Sequence, residues 1–326
     1  MLLVRSPLRL SLGGGGTDLP SYYRKKGGYL LASSIDKYIY TSIIKPFRKG
    51  IYLKYSELET VKSPEDIKHN LFREILMMED KKDFQIEITT LADVPAGTGL
   101  GSSGAFTVSV LKALSLYNSN YVTNKDLAEK ACHIEIERLG EPVGKQDQYA
   151  SSIGGINEFI FHKDDSVEFN KLPISENNLE NFQDSILLFF TGYSRSASKI
   201  LSEQDSLSKK SDPSIIKNLD EVKEMGFVAK DLLLRGDIQQ YGLLMHDHWK
   251  NKLKRSPNMS SQEIQKFYNE GLENGAIGGK VVGAGGGGFL MFISNDRNHL
   301  RNHMNKLGLK ELKIKFDYLG AHTLSC

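Results

Sequence analysis

Residues 93 to 106, DVPAGTGLGSSGAF, bring four glycines and two adjacent serines between a strand pattern and a helical one. Glycine there lets the backbone approach a ligand closely and take positive φ. The free N–H groups and dipole of the following helix favour phosphate. Ser102 and Ser103 add hydroxyls where a triphosphate and its metal would sit. The chemistry suggested is phosphate binding, although the same residues suit a plain strand–helix connection with a serine cap. Gly99, Gly101 and Gly104 also satisfy GxGxxG. The next acidic residue, Asp126, opens another helix in a capping-box pattern with Thr123 instead of ending a second strand, so a dinucleotide fold is rejected. No GxxxxGK[ST] occurs, which excludes a Walker-type loop.

The second chemical segment is CHIEIERLGEPVGKQDQYA, residues 132 to 150. At about 100° per residue, Glu135 shares a helix face with Ala128, Ala131, Cys132 and Leu139, whereas Glu137 falls with Asp126, Lys130 and His133. An inward glutamate is costly unless paired or metal-bound, so Glu135 is the candidate metal ligand and Glu137 a solvated residue. Asp147 suits either a general base or the cap of a short helix. Two more glycine segments, RSPLRLSLGGGGTDLPSYY (5–23) and GGKVVGAGGGGFLMF (278–292), read by themselves as a strand ending in a turn and as a loose hairpin.

The elements that must position these residues come in blocks. Strand patterns are VRSPLRLSL, GYLLASSIDKYIYTSIIKP, GIYLKYS and FQIEITTL, the last alternating Phe84, Ile86 and Ile88 with polar residues. Helical patterns follow at about 103–117 and 124–139, then strands at GGINEFIF and DSILLFF. Residues 196 to 275 are mostly helical, broken at SDPS, RGD and KRSPN, and a final strand is predicted near LKIKFDYL. Blocks without strict βαβ alternation predict an α+β fold.

Lys+Arg at 42 against Asp+Glu at 40 gives no electrostatic case for nucleic acid or an anionic membrane. Arg5, Pro7 and Arg9 break the N-terminal apolar stretch, so no signal peptide is expected, and no apolar run reaches the length of a spanning helix. Two cysteines, Cys132 and Cys326, form neither a disulfide framework nor a zinc site, and no HExxH motif occurs among the histidines. A cytoplasmic enzyme is expected, with the oligomeric state open and a homodimer among the options.

In order along the chain, the three glycine segments resemble the signature motifs of the GHMP kinases. Pro95, Gly97, Gly99, Leu100, Gly101, Ser102, Ser103 and Gly104 match the phosphate loop, and Gly283, Gly285, Gly286 and Gly287 the C-terminal motif. Ser6-Pro7-Leu8-Arg9 with Thr17-Asp18 is similar to the N-terminal motif of the sugar kinases. The resemblance spans the whole chain and implies a two-domain α+β fold, divided here as 1–175 and 176–326. It implies ATP and Mg²⁺, with Ser103 and Glu135 on the metal. Glu135 lies nine residues before Gly144, as the family's magnesium glutamate lies before its matching glycine. The segment Gly144-Lys145-Gln146-Asp147 resembles that of galactokinase, implying Asp147 as base, Arg9 beside it, and Thr17 and Asp18 on the sugar.

The family's usual Gly-Glu-His-Thr-Asp is here Gly14-Gly15-Gly16-Thr17-Asp18, which puts galactose in doubt. The all-glycine variant, with TGYSRSASKIL at 191–201, resembles bacterial D-glycero-D-manno-heptose 7-phosphate kinases. That implies phosphorylation of the anomeric hydroxyl to a 1,7-bisphosphate, on the way to nucleotide-activated heptose for surface polysaccharide. A substrate phosphate asks for cations, with Arg195 the first candidate and Lys199, Lys250, Lys252, Lys254 and Arg255 behind it. The alternatives are a fucose kinase-like sugar 1-kinase, a mevalonate-pathway kinase, and a silent sugar- or nucleotide-binding regulator. Retention of Glu135, Asp147 and both serines argues against the regulator.

Overall fold

The computed structural model describes residues 1–79, 83–193, 197–256 and 259–325, without the side chains of 197–200. Its first sheet contains β1 (Leu2–Gly13), β2 (Gly28–Ile44), β3 (Gly50–Lys54), β4 (Leu58–Val61), β5 (Gln85–Ala92), β6 (Ile156–Phe161) and β7 (Val167–Lys171). The long β2 pairs with β1 on one side, and with β5 and β6 at its two ends on the other. Among the described residues, only β3 and β5 run parallel. A second sheet is built from β8 (Ile186–Phe190), β9 (Ala276–Val281), β10 (Phe289–Ser294) and β11 (Lys310–Glu311), in the order β11-β8-β10-β9. The last strand, β12 (His322–Ser325), returns to the first sheet and pairs with the start of β1.

The helices are α1 (Pro20–Lys26), α2 (Asn70–Met77), α3 (Ser102–Tyr117), α4 (Asn124–Cys132), α5 (Gln146–Ile153), α6 (Glu176–Ser185), α7 (Ala197–Lys209), α8 (Pro213–Arg235), α9 (Ile238–Leu253), α10 (Gln262–Glu273) and α11 (Arg297–Lys306). Their ends follow local chemistry. Asp212 caps α8 through the Ser214 and Ile215 amides, with Pro213 as the first helical residue. Gly236 then ends α8 in the left-handed region, and Asp237 caps α9. The SDPS and RGD breaks are those boundaries. Thr123 and Asp126 form the capping box of α4. With one mixed and one antiparallel sheet, and a second half richer in helix than the first, the fold is α+β, as read.

The period-two geometry of β1 divides its side chains. Leu8, Leu10 and Leu12 are fully buried in a core shared with α8, α9 and β10, including Ala229, Met245 and Met291. Arg9 and Ser11, between them, face a cleft on the other side. Proline lacks the amide that a ladder needs, and Pro7 sits where the pairing of β1 with β2 shifts register. Beyond it the phosphate loop takes over the outer edge of β1, with the Arg9 amide donating to the Leu100 carbonyl at 2.9 Å. Behind the sheet, Ile86 and Ile88 pack against Val108, Leu111 and Leu114 of α3.

Two readings need correction. The segment LKIKFDYL, residues 312–319, forms no strand of its own: Lys310–Glu311 just before it pairs as a strand, Phe316 makes an isolated bridge to Ile35, and the closing strand is β12. After α4 the chain continues as a π-helical segment, His133–Arg138, instead of one unbroken α-helix. Among the described residues no helix is long and apolar enough to cross a membrane.

Candidate active site

Two clefts meet at Arg9 and Asp147. One is lined by Gly97, Gly99, Gly101, Ser102, Ser103 and Glu135; the other by Ser11, Asp18, His248, Lys252, Arg255 and Lys280. Arg9, Asp147, Val143 and Gly283 belong to both. The Arg9 guanidinium approaches one carboxylate oxygen of Asp147 at 2.8 Å from Nε and 2.7 Å from Nη2, and its Nη1 donates to the Gly99 carbonyl. Strand β1 and the phosphate loop thus fix the arginine, and α5 presents Asp147 to it.

Strand β5 delivers the phosphate loop, and α3 begins at Gly101 with no side chain capping it. Its first amides are left for a ligand, in the orientation that binds anions. Of the other predicted loop residues, Pro95 is exposed where the loop begins and Leu100 is buried in the core. Gly104 lies under Asp147, where an added Cβ would stand 2.7 Å from the Asp147 Cβ. The C-terminal glycine turn closes over the loop. A Cβ on Gly283 would lie 2.5 Å from the Gly99 Cα, so only glycine, with its positive φ, permits this contact. The Lys252 ammonium holds the turn by donating to the Val281 and Gly283 carbonyls. Gly285 and Gly287 lie against Met259 and Tyr193, and the Gly286 amide donates to the Met259 carbonyl at 2.8 Å.

Glu135 is buried at 2% exposure, while Glu137 pairs at the surface with Arg24 at 3.0 Å. The Ser103 hydroxyl donates to Glu135 at 2.6 Å, and the Gln148 amide to its other oxygen at 3.1 Å. Burial still outweighs these donors and pushes the Glu135 carboxyl up to about 7. Among the described residues no cation pairs with it, and the Gln148 carbonyl oxygen beside it is buried without a donor. Among the described residues no group of three or more His, Cys, Asp or Glu could cage a metal ion. One carboxylate and one hydroxyl suit Mg²⁺, which usually takes few protein ligands and completes its shell with phosphates and water.

Asp18 faces the second cleft and accepts from the Gly16 amide at 3.2 Å and the Gln146 amide at 3.0 Å. Burial raises its pKa, with the amide of Gln146 acting against the shift. Thr17 lies beneath the cleft. Its fully buried hydroxyl lies 2.9 and 2.7 Å from the Gly14 and Tyr29 carbonyls, which share its one proton, and accepts from the Tyr29 amide at 3.1 Å. Arg195 and the Lys199 side chain lie outside the described residues. The basic run divides: Lys250 and Lys254 are exposed, while Lys252 and Arg255 turn inward. Sequence reasoning missed His248 and Lys280. Their signals were a histidine one helical turn before Lys252 and a lysine in the otherwise uncharged strand AIGGKV.

Profiles described as "GHMP kinases N terminal domain" and "GHMP kinases C terminal" match residues 69–155 and 229–310. The D-glycero-alpha-D-manno-heptose 7-phosphate kinase of Campylobacter jejuni is 32% identical over 301 residues, covering 89% of this chain and 88% of that protein. A galactokinase of Thermococcus kodakarensis is 28% identical, covering 87% of each. The crystal structure of a D-glycero-D-manno-heptose 1-phosphate kinase from Bacteroides thetaiotaomicron superimposes with a TM-score of 0.82 at 26% identity, covering 100% of this chain and 99% of that one.

Proposed function

The chain belongs to the GHMP kinases and is an ATP-dependent sugar kinase, and from that premise we propose that it phosphorylates the anomeric C1 hydroxyl of D-glycero-D-manno-heptose 7-phosphate to the 1,7-bisphosphate. The observation that carries the reaction is Asp147 held by Arg9 at the junction of the two clefts. The heptose rests on the 32% identity to the Campylobacter enzyme and on the all-glycine run before Thr17-Asp18.

The cleft under α3 takes ATP, whose phosphates meet the free amides at the helix start and the Ser102 hydroxyl. Glu135 and Ser103 would hold Mg²⁺, which would neutralise charge on the nucleotide phosphates. Asp147 accepts the proton of the attacking hydroxyl. Arg9 orients Asp147 and meets the charge that develops on the transferring phosphoryl group, in a site where most of the catalysis is positioning and electrostatics. Asp18 accepts hydrogen bonds from sugar hydroxyls, its carboxylate kept in register by the two backbone amides. The bisphosphate would feed nucleotide-activated heptose synthesis for surface polysaccharide, in the cytoplasm.

The test is ADP release with Mg-ATP across heptose 7-phosphate, unphosphorylated heptose, mannose, fucose, galactose and mevalonate, with product mass checked. Selective conversion of the heptose 7-phosphate to a bisphosphate is expected. Preferred turnover of fucose or another unphosphorylated acceptor would replace the substrate named here.

A further inference from the structure

Among the described residues, four cationic side chains line the acceptor cleft: Arg9, Lys252, Arg255 and Lys280. The described carboxylates there are Asp18 and Asp147, so positive groups exceed negative ones by two before His248 is considered. Asp147 is matched by Arg9, and Asp18 by backbone amides. Lys280, His248 and Arg255 are 2%, 3% and 5% exposed. Among the described residues, the Lys280 Nζ, the Arg255 Nη2 and both ring nitrogens of His248 are buried and find no hydrogen-bond partner. Unpaired buried cations cost several kcal/mol each, so such a group of donors calls for an anion.

The chain brings them together at some cost in packing freedom. A Cβ on Gly278 would lie 2.0 Å from the Gly242 carbonyl, so the absent side chain lets α9 lie directly on β9. That approach turns His248 and Lys252 of α9 toward Lys280 of β9. Arg255, just past α9, is braced by Asn218 at 2.7 Å and reaches the Gly15 carbonyl at 3.3 Å. Burial, then repulsion from Arg255 and Arg9, presses Lys280 down to about 7, and burial with Lys280 and its neighbours depresses His248. The nucleotide phosphates do not account for these groups. None of His248, Lys252, Arg255 and Lys280 lines the cleft under α3.

Resting on the kinase reading above, we propose that Lys280, Arg255 and His248 form a dock for a phosphate ester carried by the acceptor, with Lys252 bracing the turn beside it. A phosphate monoester carries a charge of about −1.5 to −2 at pH 7 and three acceptor oxygens, which balances the excess of two and satisfies the unpartnered donors. An unphosphorylated sugar supplies neither. The dock makes the phosphate, at the end of the sugar away from C1, the specificity-determining group.

The experiment uses the whole chain, Lys280→Met and His248→Gln, with the exposed Lys250→Met as control. Calorimetric binding of heptose 7-phosphate, unphosphorylated heptose and inorganic phosphate is measured beside turnover and thermal midpoints. Lys280→Met is expected to weaken heptose 7-phosphate about 10- to 100-fold, as loss of a charge-assisted bond does. It should leave the unphosphorylated heptose and ATP unchanged and should not lower the midpoint of the unliganded protein. His248→Gln should act in the same direction. Equal losses for both sugars, or a lowered midpoint, would mean a structural lysine and overturn the dock. Turnover of heptose 7-phosphate with an unaltered KM in both variants would likewise overturn it while leaving the reaction standing. Lys280-dependent binding of inorganic phosphate without turnover of any acceptor would support the dock and remove the proposed reaction.

Discussion

Asp147 and Glu135 are separated by role, and single substitutions distinguish them. Asp147→Asn keeps a side-chain oxygen for Arg9 but removes the base. Turnover is expected to fall by about two to four orders of magnitude with ATP binding intact; unchanged turnover would leave positioning alone to carry the rate. Glu135→Gln should weaken magnesium-dependent ATP binding, whereas Glu137→Ala loses only a surface pair and should change little. The Glu135 carboxyl has its own pH signature. Its folded value of about 7 lies above the ordinary 4.5, so in metal-free buffer its contribution to stability is present below 4.5 and lost as pH rises through 7. The thermal midpoint of Glu135→Gln should therefore gain on that of the unaltered protein between pH 5 and 8. Thr17→Val separates the sequence expectation from the geometry. Loss of the buried hydroxyl should cost about 1–3 kcal/mol of stability. A raised acceptor KM without loss of stability would return Thr17 to the substrate.

Much of the element layout was legible because burial and periodicity coincide. The alternation in FQIEITTL is β5 and its inward isoleucines, and the inward phase of Glu135 survives the switch to a π-helical segment because Ile134 and Glu135 remain its buried pair. The segment after β11 shows where the pattern misleads. Leu312, Ile314 and Phe316 alternate because they pack on the shared core, while their backbone leaves the second sheet and meets the first at Ser34 and Asp36. Alternation reports burial, not pairing. Strand β12 is only four residues long and at best half-buried, so it carried no pattern to find. The phosphate loop, Arg9 and Asp147 were readable as motifs. Arg255 stood among the candidate cations, but His248 and Lys280 did not, because their convergence on it depends on how α9 lies on β9. Gly278→Ala tests that dependence. Its Cβ would collide with the Gly242 carbonyl, so about 1–3 kcal/mol or more of stability should be lost, read by denaturant unfolding.

At the scale of the whole chain we keep the division at 175 as a proposal, with the two clefts formed where the parts join. The apolar core under β1 draws on both parts, from Leu8 and Leu10 to Met245 and Met291. The return of β12 to β1 has a consequence in time. Leu3–Arg5 pair with His322, Thr323 and Ser325, so the partner of the first strand's outer edge is made some 320 residues later. At about 5–20 residues per second, that edge waits roughly 15–60 s on the ribosome. During the wait it is an open template for any passing strand. The nascent protein thus has a window of exposure that the folded one lacks, and it closes only once β12 has been made to pair with that edge.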